Sequence, residues 1–319
     1  MTPPQPVAVA LPALAADSVV NRAASAGLVA DVAQLARPKI ALMVLATVAT
    51  AFWLTAGRPA DVGPLLGLLV GTALIAASSS VANQILERRT DALMPRTADR
   101  PVAAGRLAVG TAWVGAAALL AVGAAISVAA GGWPATLAAL ATWVLYVAAY
   151  TPLKRISPLN TAVGAVAGAL PVAIGWLAAD GPARLAAGDP KGTFAAAALG
   201  AVLYLWQFPH FMAIAWLYRR QYAAAGLKML TVVDPSGLRA GGQSLAAALA
   251  MIPAALALAV PSAGIRLFLA AALAGIVYAL AAVRFAIRRD DASARVLLLT
   301  SLGSLLGLLT AAVVLGRPA

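Results

Sequence analysis

The chain has 319 residues, 62% of them hydrophobic and only 11% charged, with a mean hydropathy of +0.90. A soluble globule carries about 25% charged residues, so the composition is that of a polytopic membrane protein. With no cysteine and one histidine, disulfides, zinc clusters, iron–sulfur centres and bis-histidine haem ligation within the chain are excluded. The formal charge of +12 sits in short loops between apolar runs, which excludes nucleic acid as a partner.

Residues 1–30, Met1–Ala30, are rich in Ala, Pro and Val but lack a basic n-region followed by a clean apolar run. The segment reads as a mobile cytoplasmic tail rather than a signal peptide. Residues 31–319 then form one membrane domain. It opens with an amphipathic lead-in, Asp31–Lys39, that places Arg37, Pro38 and Lys39 at the interface. Nine spans of about 20 residues follow: Ile40–Gly57, Gly63–Leu86, Leu107–Ala130, Pro134–Tyr150, Asn160–Ala179, Thr193–Leu217, Gln243–Val260, Ile265–Phe285 and Val296–Leu315. Pro171 and Pro253 lie inside two of them and predict kinks of the kind that border a cavity. The expected fold is all-α, nine transmembrane helices around a central cavity.

Placing the N-terminus inside puts eighteen of the 23 Lys and Arg residues on the cytoplasmic side. Only Arg58, Arg184, Lys191, Arg266 and Arg317 remain outside, so the N-terminus is expected to be cytoplasmic. Both long polar loops then share that face. They are Asn83–Gly105 (NQILERRTDALMPRTADRPVAAG) and Trp206–Gly242 (WQFPHFMAIAWLYRRQYAAAGLKMLTVVDPSGLRAGG).

In the first loop Asn83, Glu87 and Asp91 are spaced four apart, on one face of a helix, and Arg96 and Arg100 repeat that spacing. Amide and carboxylate oxygens are hard ligands suited to magnesium carried with a phosphorylated substrate. Arg96 and Arg100 can hold the phosphate oxygens left free, and Thr97 offers a further donor. Read blandly, the same charges cap a helix at the interface and form a solvated loop. Asn83 counts against that, because it lies about a turn inside the apolar layer.

In the second loop Gln207 shares a helical face with His210, the only histidine, inside a span. Tyr218, Tyr222 and Lys228 lie beyond it. Asp234 fits an ordinary DPSG turn equally well. A third group, Tyr150–Arg155 (YTPLKR), offers Tyr150, Lys154 and Arg155 at a helix end. These two cations can grip an anion or simply anchor the topology. The glycines of the following span, Gly164, Gly168 and Gly175, permit close helix contact or leave room for a flat or chain-like ligand.

These stretches together resemble the protoheme IX farnesyltransferase (haem O synthase) family of the intramembrane UbiA-type prenyltransferases. Asn83, Glu87, Asp91, Met94, Arg96, Thr97, Arg100 and Pro101 look like its version of the superfamily's first aspartate-rich motif. YTPLKR and WQFPHF followed by YAAAGLKML resemble two further signatures. The resemblance covers roughly Arg37 to Arg295. It implies a farnesyl diphosphate donor, a haem b acceptor and Mg2+ as cofactor, in the lipid bilayer of a bacterial inner membrane. A haem A synthase or a terminal-oxidase assembly would be partners.

The implied reaction adds the farnesyl chain to a haem vinyl group, leaves a hydroxyethylfarnesyl substituent and releases diphosphate. Catalytic roles are implied for Asn83, Glu87, Asp91, Arg96, Arg100 and His210, the last touching haem iron, a propionate or the attacking water. Substrate contacts are implied for Thr97, Tyr150, Lys154, Arg155, Gln207, Tyr218, Tyr222 and Lys228. At the place where the family usually has an aspartate before the second-loop tyrosine, this chain has Gln221. Its amide is expected to hold metal more weakly than a carboxylate. The alternatives are prenyl transfer to a quinone-type aromatic acceptor, and a non-catalytic haem-binding or transport protein.

Overall fold

The computed structural model describes residues 27–56, 62–262 and 264–316, and every regular element among them is helical. A short helix, α1 (Leu28–Ala36), precedes α2 (Pro38–Ala56), α3 (Val62–Asp91) and α4 (Val109–Val144). A π-helical turn, Leu145–Tyr150, and a single α-turn, Thr151–Leu153, prolong α4. Then come α5 (Asn160–Ala169), α6 (Pro171–Ala178), α7 (Gly181–Ala186) and α8 (Lys191–Leu217). Two short helices, α9 (Arg219–Ala224) and α10 (Leu230–Val233), lead to α11 (Leu238–Ala257), α12 (Ile265–Arg288) and α13 (Asp291–Leu315).

Among the described residues, 8 helical stretches are long and apolar enough to cross a membrane. Large apolar side chains such as Leu66, Val114, Leu137, Leu273, Leu280 and Leu299 stand exposed on their outer faces. Lipid tails are the solvent that makes such a surface stable. The protein is an all-α polytopic membrane protein.

One stretch, Val109–Leu153, has 45 residues, or about 68 Å at 1.5 Å per residue, against a hydrocarbon core of about 30 Å. It is broken at Gly132, whose φ of 75° and ψ of 172° are open to glycine and costly for other residues. Pro134 follows and fits the start of the next helical piece. The expected boundary between Ala130 and Pro134 falls at this break.

Small residues set the helix spacing. A Cβ on Gly71 would collide with Ser127 and with the backbone of Gly123, so α3 and α4 touch backbone to backbone. A Cβ on Gly175 would strike the backbone of Val48 and Phe52, which brings α6 equally close to α2. The central helix, α8, packs against α2, α5, α11 and α13. Tyr278 of α12 is fully buried and donates from its hydroxyl to the Trp206 carbonyl at 2.7 Å, tying α12 to α8.

Several expected boundaries move. α3 runs to Asp91 rather than Leu86, because Thr90 and Asp91 are buried and keep the helix supported past the apolar run. α11 starts at Leu238 rather than Gln243, behind Gly237 at φ 72°, and α13 starts at Asp291 rather than Val296. There Asp290 forms a capping box with Ser293, a start signal earlier than the apolar pattern. The expected fifth span divides at Leu170, ahead of Pro171. Leu28–Ala30 belong to α1 rather than to a tail. Residues 1–26 of that tail, Gly57 and the topology markers Arg22, Arg58 and Arg317 lie outside the described residues.

Candidate active site

The buried end of α3 carries the charges. Asn83, Glu87 and Asp91 are all on this one helix, and helical spacing stacks them on one face. Asp91 is 1% exposed and accepts a hydrogen bond from Arg100 Nη1 at 2.6 Å. Glu87 accepts one from Lys154 Nζ at 2.8 Å, each side chain 13% exposed. Each carboxylate thus has its own cation, as a low-dielectric setting demands. Burial draws the Arg100 guanidinium below its ordinary range, with the nearby Arg37 charge adding to that, while Asp91 opposes the shift.

The loop after α3 is folded to deliver these arginines. Thr97 is buried and its hydroxyl donates to the Asp91 carbonyl at 3.0 Å, closing the turn that brings Arg96 and Arg100 back over the helix end. Arg106 holds the far side of the loop through Asp31 at 2.7 Å and Asp99 at 2.9 Å. Gln84 of α3 donates to the carbonyls of Gln34 and Leu35, so α1 is also latched onto α3. Arg96 donates to the Tyr222 hydroxyl at 3.2 Å, and its guanidinium lies 4.5 Å from the centre of the Tyr218 ring. Lys154 sits 4.3 Å over the Tyr150 ring. The cation–π contacts themselves use none of the N–H groups of these cations; Arg96 gives one to Tyr222 and Lys154 one to Glu87.

A chain of hydrogen bonds orients Asn83. Its Nδ2 donates to Thr151 Oγ1 at 2.9 Å, and that hydroxyl donates to the Tyr146 carbonyl at 2.9 Å across the π-turn. The amide oxygen is left over. Asn83 Oδ1 and Asp91 Oδ1 are both buried without a hydrogen-bond partner among the described residues. Orphaned acceptors of this kind need an explanation. Two unpartnered hard oxygens, with Glu87 between them in sequence, fit a divalent cation of the magnesium type. Among the described residues there is no cluster of three or more His, Cys, Asp or Glu, so such an ion would be held by two carboxylates and an amide.

These groups line one end of a cavity of about 510 Å3. Glu87, Asp91, Arg96, Arg100, Tyr150, Lys154 and Tyr222 border it, and its remaining wall is mostly apolar. Gln207 and His210 line it from α8. Gln207 Nε2 donates to the Ala165 and Leu203 carbonyls at 3.0 and 3.1 Å. A Cβ on Gly168 would run into that amide, so the glycine is what admits it.

Other expected residues stand apart. Arg155 and Lys228 are exposed and border no part of this cavity. Lys228 contributes backbone only, its N–H donating to the Lys154 carbonyl at 2.7 Å. Gln221 lines a separate, smaller cavity of about 250 Å3 with Tyr218, Arg219, Arg220 and Asp291. The helical turn of α9 aims it away from Tyr222, which faces the main cavity. Asn83 and Thr97 support the site from beneath its lining.

Sequence reading missed Arg37, Lys39, Tyr146 and Ser301. Arg37 lines the cavity, adopts a left-handed φ of 47° between α1 and α2, and keeps a buried Nη2 without a partner among the described residues. Such backbone strain in a residue with a β-carbon was the signal, and it is invisible in sequence. Ser301 comes from α13, far along the chain, and its hydroxyl meets His210 Nδ1 at 2.8 Å.

A rim of paired carboxylates and cations thus opens onto a mostly apolar chamber among helices long enough to cross a membrane. The chain belongs to the UbiA prenyltransferase family, whose profile matches residues 44–312. It is similar to the protoheme IX farnesyltransferase of Rhodopirellula baltica, 41% identical over 226 residues that cover 71% of this chain and 76% of that protein. The protoheme IX farnesyltransferase of Solibacter usitatus is 36% identical over 288 residues, 85% and 93% of the two chains. Among solved structures, a digeranylgeranylglyceryl phosphate synthase shares the fold with a TM-score of 0.71 at 14% identity, covering 91% of this chain and 98% of that one. A UbiA homolog from Archaeoglobus fulgidus bound to GPP and Mg2+ does so with a TM-score of 0.62 at 17% identity, covering 88% and 99%.

Proposed function

We propose that the protein transfers the farnesyl group of farnesyl diphosphate to a vinyl group of haem b, making haem O and releasing diphosphate, with Mg2+ as cofactor. The observation that carries this reading is the cavity: paired carboxylates and cations at one end, an apolar wall along the rest. Similarity to several protoheme IX farnesyltransferases supports haem as the acceptor.

The charges suit a metal-bound prenyl diphosphate. Arg37, Lys39, Arg96, Arg100 and Lys154 outnumber Glu87 and Asp91 by three along the cavity, an excess of positive charge that suits a polyanionic prenyl diphosphate and its metal ion. Asn83, Glu87 and Asp91 would hold the ion, and when bound it would withdraw charge from the departing diphosphate. Arg100 and Lys154, released from their carboxylates, turn to the diphosphate oxygens, and Arg96 joins them from its tyrosine seat. The apolar wall receives the farnesyl chain and keeps water from the allylic carbon. As the carbon–oxygen bond breaks, the electron pair leaves with diphosphate and the vinyl carbon forms the new carbon–carbon bond. Water then adds to the neighbouring carbon and loses its proton, giving the hydroxyethylfarnesyl group.

The finer topology belongs to the same reading. Counting the break at Gly132 as a loop gives nine spans, with the N-terminus and both long loops in the cytoplasm of a bacterial inner membrane. Purified protein in detergent, given haem b, farnesyl diphosphate and magnesium, should yield a haem with the added mass of a farnesyl group plus a hydroxyl group. A quinone-type acceptor that is prenylated while haem is returned unchanged would replace this reading with the other branch of the family.

A further inference from the structure

We propose that Ser301 is a positioning residue that holds His210 as its Nδ1-protonated tautomer, so that Nε2 ligates the iron of the tetrapyrrole acceptor. The inference rests on the haem reading above. It starts from the single proton of a serine hydroxyl. Ser301 Oγ lies 2.6 Å from the Leu298 carbonyl oxygen and 2.8 Å from His210 Nδ1.

A carbonyl oxygen can only accept, and two acceptors at 2.6 Å would repel, so the hydroxyl proton goes to Leu298. Its lone pair then faces Nδ1, which must carry a hydrogen to donate. In the neutral ring this leaves Nε2 bare. Nε2 has no hydrogen-bond partner among the described residues, and His210 lines the cavity.

The ring is fixed as well as tuned. It stacks on Trp206 with centroids 4.5 Å apart and planes 23° from parallel, and meets Phe211 edge-on at 5.7 Å. Trp206 Nε1 donates to the Ser301 carbonyl at 2.7 Å, and the Tyr278 hydroxyl donates to the Trp206 carbonyl. Helices α8, α12 and α13 are thus bolted together around one imidazole. Holding the other ring nitrogen in a defined hydrogen bond is how proteins set which nitrogen binds a metal. His210 also lies seven residues from the end of α8, about 10 Å of helix rise. That depth keeps an iron bound there within the apolar part of the chamber, away from the diphosphate rim.

The test is a titration of ferric haem b into the full-length protein in detergent, without farnesyl diphosphate, read by absorption and electron paramagnetic resonance. The unmodified protein should give a nitrogen-ligated spectrum. Expected for His210→Ala is loss of that spectrum with recovery on adding imidazole, which also shows that the variant is folded. Ser301→Ala keeps the backbone carbonyl that Trp206 needs but frees the ring to switch tautomer. It should weaken iron binding about tenfold, and Ser301→Thr should restore it. Iron-free protoporphyrin IX should bind all four proteins alike.

An unmodified protein and a His210→Ala variant with identical haem spectra would overturn ligation. A Ser301→Ala variant indistinguishable from the unmodified protein would overturn the role of Ser301. If farnesyl transfer to haem proceeds in either case, the functional reading survives and only this inference falls. Failure of the unmodified protein both to bind and to farnesylate haem would remove both.

Discussion

Replacing Lys154 by Met isolates the charge pairing at the rim. Lys154 Nζ is 2.8 Å from Glu87 Oε1, and both side chains are 13% exposed. Methionine keeps most of the volume and removes the charge, so Glu87 is left without its cation. Breaking a buried pair from one side costs about 3–5 kcal/mol, because the remaining charge is stranded in low dielectric. At roughly 2 °C per kcal/mol for a large domain, the melting temperature in metal-free detergent should fall by roughly 6–10 °C.

The double variant Glu87→Gln with Lys154→Met removes both charges and should recover most of that loss. Magnesium should raise the melting temperature of Lys154→Met more than that of the unmodified protein, since a bound cation does the work of the missing lysine. Turnover should fall about 10- to 100-fold in Lys154→Met, the worth of one charge-assisted hydrogen bond of about 1.5–3 kcal/mol. The seven tryptophans provide an intrinsic fluorescence signal for the melts. Additive effects of the two substitutions, with no recovery in the double variant, would refute the pairing.

Asp91→Asn should abolish farnesyl transfer, a loss of at least about 1000-fold, while the protein stays folded; normal magnesium-dependent turnover would remove Asp91 from the site. Gln221→Asp should leave activity-against-magnesium curves superimposable with those of the unmodified protein, because Gln221 borders the smaller cavity; a tighter magnesium midpoint would put it back among the metal ligands. Gly175→Ala drives a methyl group into the backbone of α2 and should cost about 1–3 kcal/mol, measured as a fall in melting temperature. Reporters inserted at residues 98 and 226 should both read cytoplasmic, and one at residue 188 should read the opposite side; opposite faces for the first two would dissolve the shared rim.

The helical register of Asn83, Glu87 and Asp91 was legible because spacing alone puts such residues on one face, and α3 extends far enough to use it. The same holds for Gln207 and His210, which share a face of α8. Lys154 and Arg155 show where sequence stops: adjacent on the chain, they diverge because the turn after Leu153 points one into the cavity and the other to solvent. Gln221 and Tyr222 divide in the same way. Ser301 carried no signal, since a serine in an apolar helix is ordinary until the partner across the bundle is known. Nor did the π-turn at Leu145–Tyr150, which exists because Thr151 reaches back to Tyr146 while receiving Asn83.

The most direct measurement is a structure of the protein with magnesium, haem b and a non-reactive farnesyl diphosphate analogue. The diphosphate should lie between Glu87 and Asp91 on one side and Arg96, Arg100 and Lys154 on the other, with both ion pairs opened and the farnesyl chain along the apolar wall toward Phe211. Diphosphate held instead by Arg219 and Arg220 at the smaller cavity, with Asp91 still paired to Arg100, would contradict the assignment of this rim as the place where the transfer begins.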